Sequence, residues 1–380
     1  MTYYYFLYRL CESCGVAKVK IVVNDIAASE GGALSVLNEF YAEILASEDK
    51  NEWFFFLGKD YIPETNNIKV KTFPKIKKSW TRRLLFDLFY GRIIINKIKP
   101  DIYISLQNTA TIGVKAKQYV YLHQSLPYQT EHTFSIFKKQ ERKYAIYQKI
   151  IGRIYNFLFY VSKSTIIVQT KWFKNAVKRK ISNNVVIVPP KVNFVSRTYE
   201  SAINSNGEIT FFYPAAKEIY KNHEVIFKAV DKVVNQGYKN FRIVLTIPIQ
   251  EVNNKDMYTF LGTISREDVF EWYTKSVLLF PSFIETYGLP LKEAQLSNTP
   301  IIASNTDFAR EVLRDYDGKY FFDKYNDEQL CSIMISVIQS EGKINKKSNI
   351  NYRKEKLTLF TYLTKYRKIE VTKDTFYSQK

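Results

Sequence analysis

The sequence predicts an α/β protein of two doubly wound domains in tandem, on three observations. Short apolar runs recur along the chain and are continuous rather than alternating, which suits parallel strands covered on both faces. Between them lie segments with apolar residues at spacings of three and four, the mark of amphipathic helices. The repetition breaks at Pro189-Pro190 and then resumes. A length of 380 residues agrees, since domains run to roughly 100–200 residues each.

Taken in order, KVKIVVN (residues 18–24), EWFFFLG (52–58), DIYIS (101–105), QYVYLHQ (118–124) and STIIVQT (164–170) read as buried strands of the first domain. Leu34, Leu37, Tyr41 and Ile44 share one face of a helix between the first two. The polar stretch after VVIVPPKVNF marks the boundary, giving 1–190 as the first domain, with 1–17 an extension ahead of its first strand, and 191–356 as the second. There the alternation continues through EITFFYP, a helix near 222–234, FRIVLTI, a helix near 266–274, SVLLFPS and KYFF. Residues 357–380 form a terminal helix and tail, with Leu357, Phe360, Leu363 and Tyr366 on one face, expected to pack back on the first domain.

The stretch FPSFIETYGLPLKEAQLSNTPIIAS (residues 280–304) holds the most chemistry. A strand ends at Pro281, Pro290 suits the first turn of a helix running to about Asn298, and Pro300 opens the strand PIIAS. Tyr287, Gly288 and Leu289 thus sit at a helix N-terminus beyond the carboxyl end of a strand. Orphan N–H groups and the helix dipole attract phosphate there, and open α/β sheets bind ligands there. Gly288 lets a ligand approach the backbone closely. Glu285 would lie at the mouth of the crevice and Glu293 in the first helical turn or so. Carboxylates accept hydrogen bonds from hydroxyls, so a ligand bearing both phosphate and sugar, such as a nucleotide sugar, would use amides and acids together. Acids at a helix start also offset its dipole by roughly 0.3–1 kcal/mol each, and the two glutamates alone favour that plainer reading.

The segment ETYGLPLKE, with FPS before it and PIIAS after it, resembles the E-x7-E signature of retaining glycosyltransferases of family 4. YPAAKEIYKNHEVIFKAV (213–230) resembles that family's strand-to-helix segment carrying a phosphate-binding lysine, and VNDIAASEGGALSVLNEF resembles its first strand, Gly-Gly loop and helix. The resemblance implies a GT-B fold, two Rossmann-like domains facing across a cleft with the second binding the nucleotide sugar. It implies catalytic parts for Glu285, which contacts the donor sugar's hydroxyls and helps place its anomeric carbon, for His123 beside the reacting sugar, and for Lys221. The lysine would stabilise charge growing on the leaving diphosphate. Glu293 is implied for the ribose hydroxyls. Thr286 and the amides of Tyr287, Gly288 and Leu289 are implied for sugar and diphosphate, and Gly31 and Gly32 for close approach of the first-domain loop. Many relatives carry Gly-Arg where this chain has Pro214-Ala215, and spacing makes Lys217 the candidate for the missing cation.

Lysine and arginine number 56 against 37 aspartates and glutamates, a formal charge of +19 that calls for an anionic partner. Residues 73–100 and 137–160 mix those cations with aromatic and aliphatic side chains, which suits an anionic bilayer surface or an ordinary helix with a solvated basic side. Nucleic acid is the rival anion, but no zinc-finger, RNP or helix-turn-helix signature is present. Asp315-Tyr316-Asp317 imitates a metal-binding Asp-x-Asp, yet precedes Gly318 and reads as a surface turn, and the lone Cys11-x-x-Cys14 lacks a second pair. No cofactor and no obligatory metal are expected. No apolar run approaches the roughly 18 residues of a membrane span, and TYYYFLY lacks a basic leader, so the chain is expected in the cytoplasm, peripheral on the inner face of the cell membrane. The expected function is hexosyl transfer from a nucleotide-sugar donor to a glycan acceptor, lipid-linked, in capsule, O-antigen or exopolysaccharide assembly. The alternatives are a catalytically inactive sugar- or nucleotide-binding relative and, further off, a nucleic-acid-binding protein.

Overall fold

The structure, a computed structural model, describes residues 18–28, 31–47, 49–192, 198–342 and 357–364. The N-terminal extension with Cys11 and Cys14, and Tyr366 of the terminal helix, lie outside these residues.

Two parallel sheets organise the chain. The first contains β1 (Lys20–Asp25), β2 (Glu52–Leu57), β3 (Ile68–Thr72), β4 (Ile102–Ser105), β5 (Lys117–Tyr121), β6 (Thr165–Val168) and β7 (Val185–Ile187), in the order β3-β2-β1-β4-β5-β6-β7. The second contains β8 (Ile209–Tyr213), β9 (Phe241–Leu245), β10 (Tyr258–Phe260), β11 (Val277–Phe280), β12 (Ile301–Ser304) and β13 (Lys319–Phe322), in the order β10-β9-β8-β11-β12-β13. All of the strand pairs are parallel. Every residue of β4, β6, β8, β11 and β12 is buried, which is why these strands read as unbroken apolar runs.

Helices cover both faces. The helix Gly31–Ala46 buries Leu37, Phe40, Tyr41 and Ile44 against Trp53, Phe55 and Ile104. Residues 359–364 are helical, and Leu359, Phe360 and Leu363 enter that same first-domain core, the Phe360 ring lying 6.2 Å from that of Trp53. The chain therefore crosses from the first sheet to the second after β7 and returns after the helix Asp327–Gln339.

The expected helix after Pro290 is shorter than its sequence suggested. It spans Leu289–Leu296, because Asn298 adopts a left-handed conformation (φ 58°) that closes the helix. Asp315 and Asp317 are exposed on the turn leading into β13 while Tyr316 is buried, its hydroxyl donating to the Thr299 carbonyl at 2.5 Å. In a parallel sheet a turn preceding a strand lies at the edge opposite the carboxyl ends, so this Asp-x-Asp stands away from the crevice described next.

Candidate active site between the domains

The second sheet reverses its direction of growth between β8 and β11, adjacent strands whose following loops turn to opposite faces and leave a crevice. The loop after β8 ends in a single helical turn, Ile219–Lys221, closed by Asn222 at φ 59°. Tyr213 donates its hydroxyl to the Lys221 carbonyl at 2.9 Å, and the Asn222 amide donates to the carbonyls of Lys324 (2.7 Å) and Pro281 (3.4 Å). These bonds fix the backbone from which Lys221 projects. Its ammonium pairs with the Glu285 carboxylate, which also accepts from Ser282 Oγ at 2.9 Å. Both side chains of the pair are less than one-fifth exposed, at 19% and 18%. Two residues 64 positions apart thus meet across the crevice, a cation and an acceptor side by side.

Past Glu285 the chain turns through Gly288, whose φ of 79° is open to glycine and strained for other residues, into the helix Leu289–Leu296 with Pro290 in its first turn. Glu293 on that helix is 6% exposed. Arg266 donates to one of its oxygens and the Tyr273 hydroxyl to the other, each at 3.0 Å. Burial raises its carboxyl above the ordinary range, opposed by Arg266 and Tyr273. Each oxygen keeps one lone-pair direction for a further donor.

Arg266 also faces the first domain, 3.9 Å from Glu39 on the helix Gly31–Ala46. Burial pushes the Glu39 carboxyl up to about 7, with Arg266 and Lys191 pulling it down and Glu293 and Glu43 pushing it up. Gly31 and Gly32, expected in an open loop, are instead the first two residues of this helix. Their backbone N–H groups therefore belong to the set that a helix start leaves without intrahelical partners.

On the first-domain side, His123 follows β5 and Asn108 follows the neighbouring β4, both at carboxyl ends. Asn108 Oδ1 accepts from the His123 backbone N–H at 2.7 Å, which orients the amide so that Nδ2 donates to His123 Nε2 at 3.0 Å. An amide nitrogen only donates, so Nε2 is the acceptor and the ring proton sits on Nδ1, which is buried without a partner among the described residues. Burial pulls the imidazole down to about 4, keeping it neutral.

The structure brings Lys221 and Glu285 together and does not add Lys217 to the pair, since Lys217 donates to Gln250 on the segment after β9. Both lysines bear on His223, whose imidazole is lowered to about 4 by burial and then by these two charges. Sequence reasoning missed Asn108, Arg266, Tyr273, Ser282 and Glu39. Asn108 alone had a local signal, an asparagine directly beyond a strand's carboxyl end and held at φ 67°. Thr286, between Glu285 and Tyr287, gives its carbonyl to two first-domain side chains, Thr170 Oγ1 at 2.9 Å and Trp172 Nε1 at 3.1 Å.

Comparison with known proteins points the same way. Residues 197–356 match the family described as Glycosyl transferases group 1. A 94-residue stretch is 32% identical to the O-antigen chain mannosyltransferase RfbU of Salmonella typhimurium, covering 24% of this chain and 27% of that protein, about a quarter of its length. Among solved structures, sucrose-phosphate synthase from Thermosynechococcus elongatus superposes with a TM-score of 0.62 at 14% identity, over 85% of this chain and 90% of that one. HepE from Anabaena, in complex with UDP-glucose, gives 0.60 at 14% identity over 85% and 90%. These likenesses show the fold, which is GT-B.

Proposed function

With a second domain that belongs to the glycosyl transferases group 1 family, we propose that the chain is a retaining glycosyltransferase. It moves a hexosyl group from a nucleotide sugar to a glycan acceptor, lipid-linked, in bacterial surface polysaccharide assembly. The observation that carries this is the Lys221–Glu285 pair, held across the crevice between β8 and β11 beside a glycine-opened helix start. In the reaction the bond from the anomeric carbon to the diphosphate oxygen breaks with its electron pair leaving on the diphosphate. The acceptor's hydroxyl oxygen bonds to that carbon and gives up its proton to the departing diphosphate oxygen. Lys221 meets the charge that grows on the leaving group, an interaction that strengthens toward the transition state. Glu285, released from the lysine by the incoming diphosphate, accepts hydrogen bonds from the sugar. Glu293, steadied by Arg266 and Tyr273, accepts from the ribose. The amides of Tyr287 to Leu289 and the helix start at Gly31 and Gly32 face the sugar diphosphate, with Lys217 a second cation nearby. His123 presents its Nδ1 proton to the sugar. The reading assigns no metal to the site.

The membrane side of the proposal rests on one face of the first domain. Helical residues 80–98, through Leu84 and Leu88, and 142–162, through Tyr147 and Ile154, pack on the same first-domain core. Their outer sides expose Phe89, Ile93, Ile150, Phe157 and Tyr160 among Arg82, Arg92, Lys149 and Arg153. Residues 142–163 contain no acid, and Asp87, the one acid in 80–99, is buried. Exposed apolar side chains ringed by cations suit an anionic lipid surface. No helix among the described residues is long and apolar enough to cross a membrane.

A panel of nucleotide sugars offered to the purified protein, with binding and slow hydrolysis as readouts, tests the donor reading. One preferred donor is expected, and binding of none refutes it. Cosedimentation with phosphatidylglycerol vesicles at low salt tests the docking face. Capture of the wild type and its loss in a Phe89→Ser, Phe157→Ser variant are expected, and no capture of the wild type sinks the membrane reading.

A further inference from the structure

The Thr286 carbonyl lies in the middle of the candidate donor loop, yet the two groups that hold it belong to the other domain. Thr170 and Trp172 stand just past β6, where the helix Lys171–Lys178 begins. That helix start has no side-chain cap of its own. Its first N–H groups, on Lys171 and Trp172, donate instead to the carboxylate of Glu311 in the second domain, at 2.6 and 2.8 Å. The Trp172 ring packs on the cores of both domains and lies 5.3 Å from Phe173. Four hydrogen bonds therefore cross the domain boundary within three residues, and two of them end on one carbonyl.

A trans peptide is planar, and its C=O and N–H point in opposite directions. Holding the Thr286 carbonyl toward Thr170 and Trp172 therefore aims the Tyr287 N–H away from them and fixes the plane from which the chain enters the left-handed turn at Gly288. The directions of the amides at the helix start follow from that plane. On this geometry we propose that Thr170 and Trp172 are positioning residues, which set the donor loop from across the cleft so that the nucleotide-sugar site is complete only when the two domains are docked. The proposal rests on the reading that this loop meets the donor. Neither residue touches the sugar or the diphosphate; both act through the Thr286–Tyr287 peptide.

The test compares the full chain with Thr170→Val, which keeps the side-chain volume and removes the hydroxyl, with Trp172→Phe, which keeps an aromatic ring and removes the indole N–H, and with the double variant. Backbone hydrogen exchange without ligand is the first readout. Residues 284–291 should exchange about five-fold faster in each single variant, the equivalent of one ordinary hydrogen bond, and faster still in the double variant, with β11 unchanged. Unchanged exchange over 284–291, or an equal rise through both domains, overturns the proposal. Binding of UDP-glucose and GDP-mannose as probes is the second readout. Weaker binding of whichever probe the wild type takes, by a similar factor, supports the clamp, and equal binding by all four proteins refutes it. If the wild type binds neither probe, the donor reading is weakened, while the exchange measurement still decides the clamp.

Discussion

Glu39 offers a pH test of the contact between the domains. Its carboxyl is 19% exposed on the helix Gly31–Ala46, 3.9 Å from Arg266. Also facing it are Glu293, on the same arginine, and Glu43, which pairs with Lys191 at 3.3 Å. Its pKa rises from 4.5 to about 7 on folding, chiefly through burial. Between those values the folded protein holds a proton that the unfolded chain releases, so stability is greatest below the lower value and falls as pH rises through the upper. At about 1.4 kcal/mol per unit, and with some screening by water at the exposed edge, the loss by pH 8 is about 2–3 kcal/mol. Glu39→Gln keeps the shape and removes the ionisation. Denaturant titrations of both proteins at pH 5 and pH 8 provide the assay, and the wild type should lose about 2–3 kcal/mol more than the variant between the two. Parallel losses would refute the placement of Glu39 in a desolvated cluster with Arg266.

Three further substitutions probe the site. Lys221→Ala should lower kcat about 100- to 1,000-fold with a smaller change in donor KM, as expected for a group that meets developing charge, and an unchanged kcat removes Lys221 from the mechanism. Arg266→Ala leaves the buried Glu293 carboxylate with Tyr273 alone, and since the arginine is 38% exposed the expected cost is about 1–2 kcal/mol in denaturant titration. Stability equal to wild type would mean that Glu293 does not depend on it. Gly288→Ala forces a Cβ onto a left-handed residue 3.2 Å from Leu291, with an expected loss of about 1–2 kcal/mol, visible as a lower melting temperature.

Apart from the half-buried edge strand β13, the strands that sequence reasoning found are largely buried, because a parallel sheet under two helical layers demands unbroken apolar runs. β3 escaped it for the converse reason. As an edge strand it carries lysines at alternate positions, IKVKT, and such an edge resembles a loop in composition. β10, three residues at an edge of the second sheet, is shorter than any periodicity can register. At the site, Glu285 and Glu293 were legible because strand, turn and helix lie within one contiguous stretch. Arg266, Thr170, Trp172 and Glu311 were not, since each acts on a residue distant in the chain, 139 positions away for Glu311 and Trp172, and no local spacing encodes such a meeting. The glycines at 31 and 32 were misread as a loop because a glycine pair is a poor helix former, and the apolar face from Leu34 onward overrides that preference.

The return of residues 359–364 to the first domain has a consequence for the order of events during synthesis. When a ribosome has released residue 342, every strand of both sheets is available, yet the apolar face around Trp53 and Phe40 still lacks Leu359, Phe360 and Leu363. Three such side chains contribute about 5 kcal/mol or more of burial, comparable to the whole net stability of an ordinary domain. The domain made first is thus the one finished last, and a nascent chain stalled before residue 357 would present an intact second domain beside an adhesive, incomplete first one.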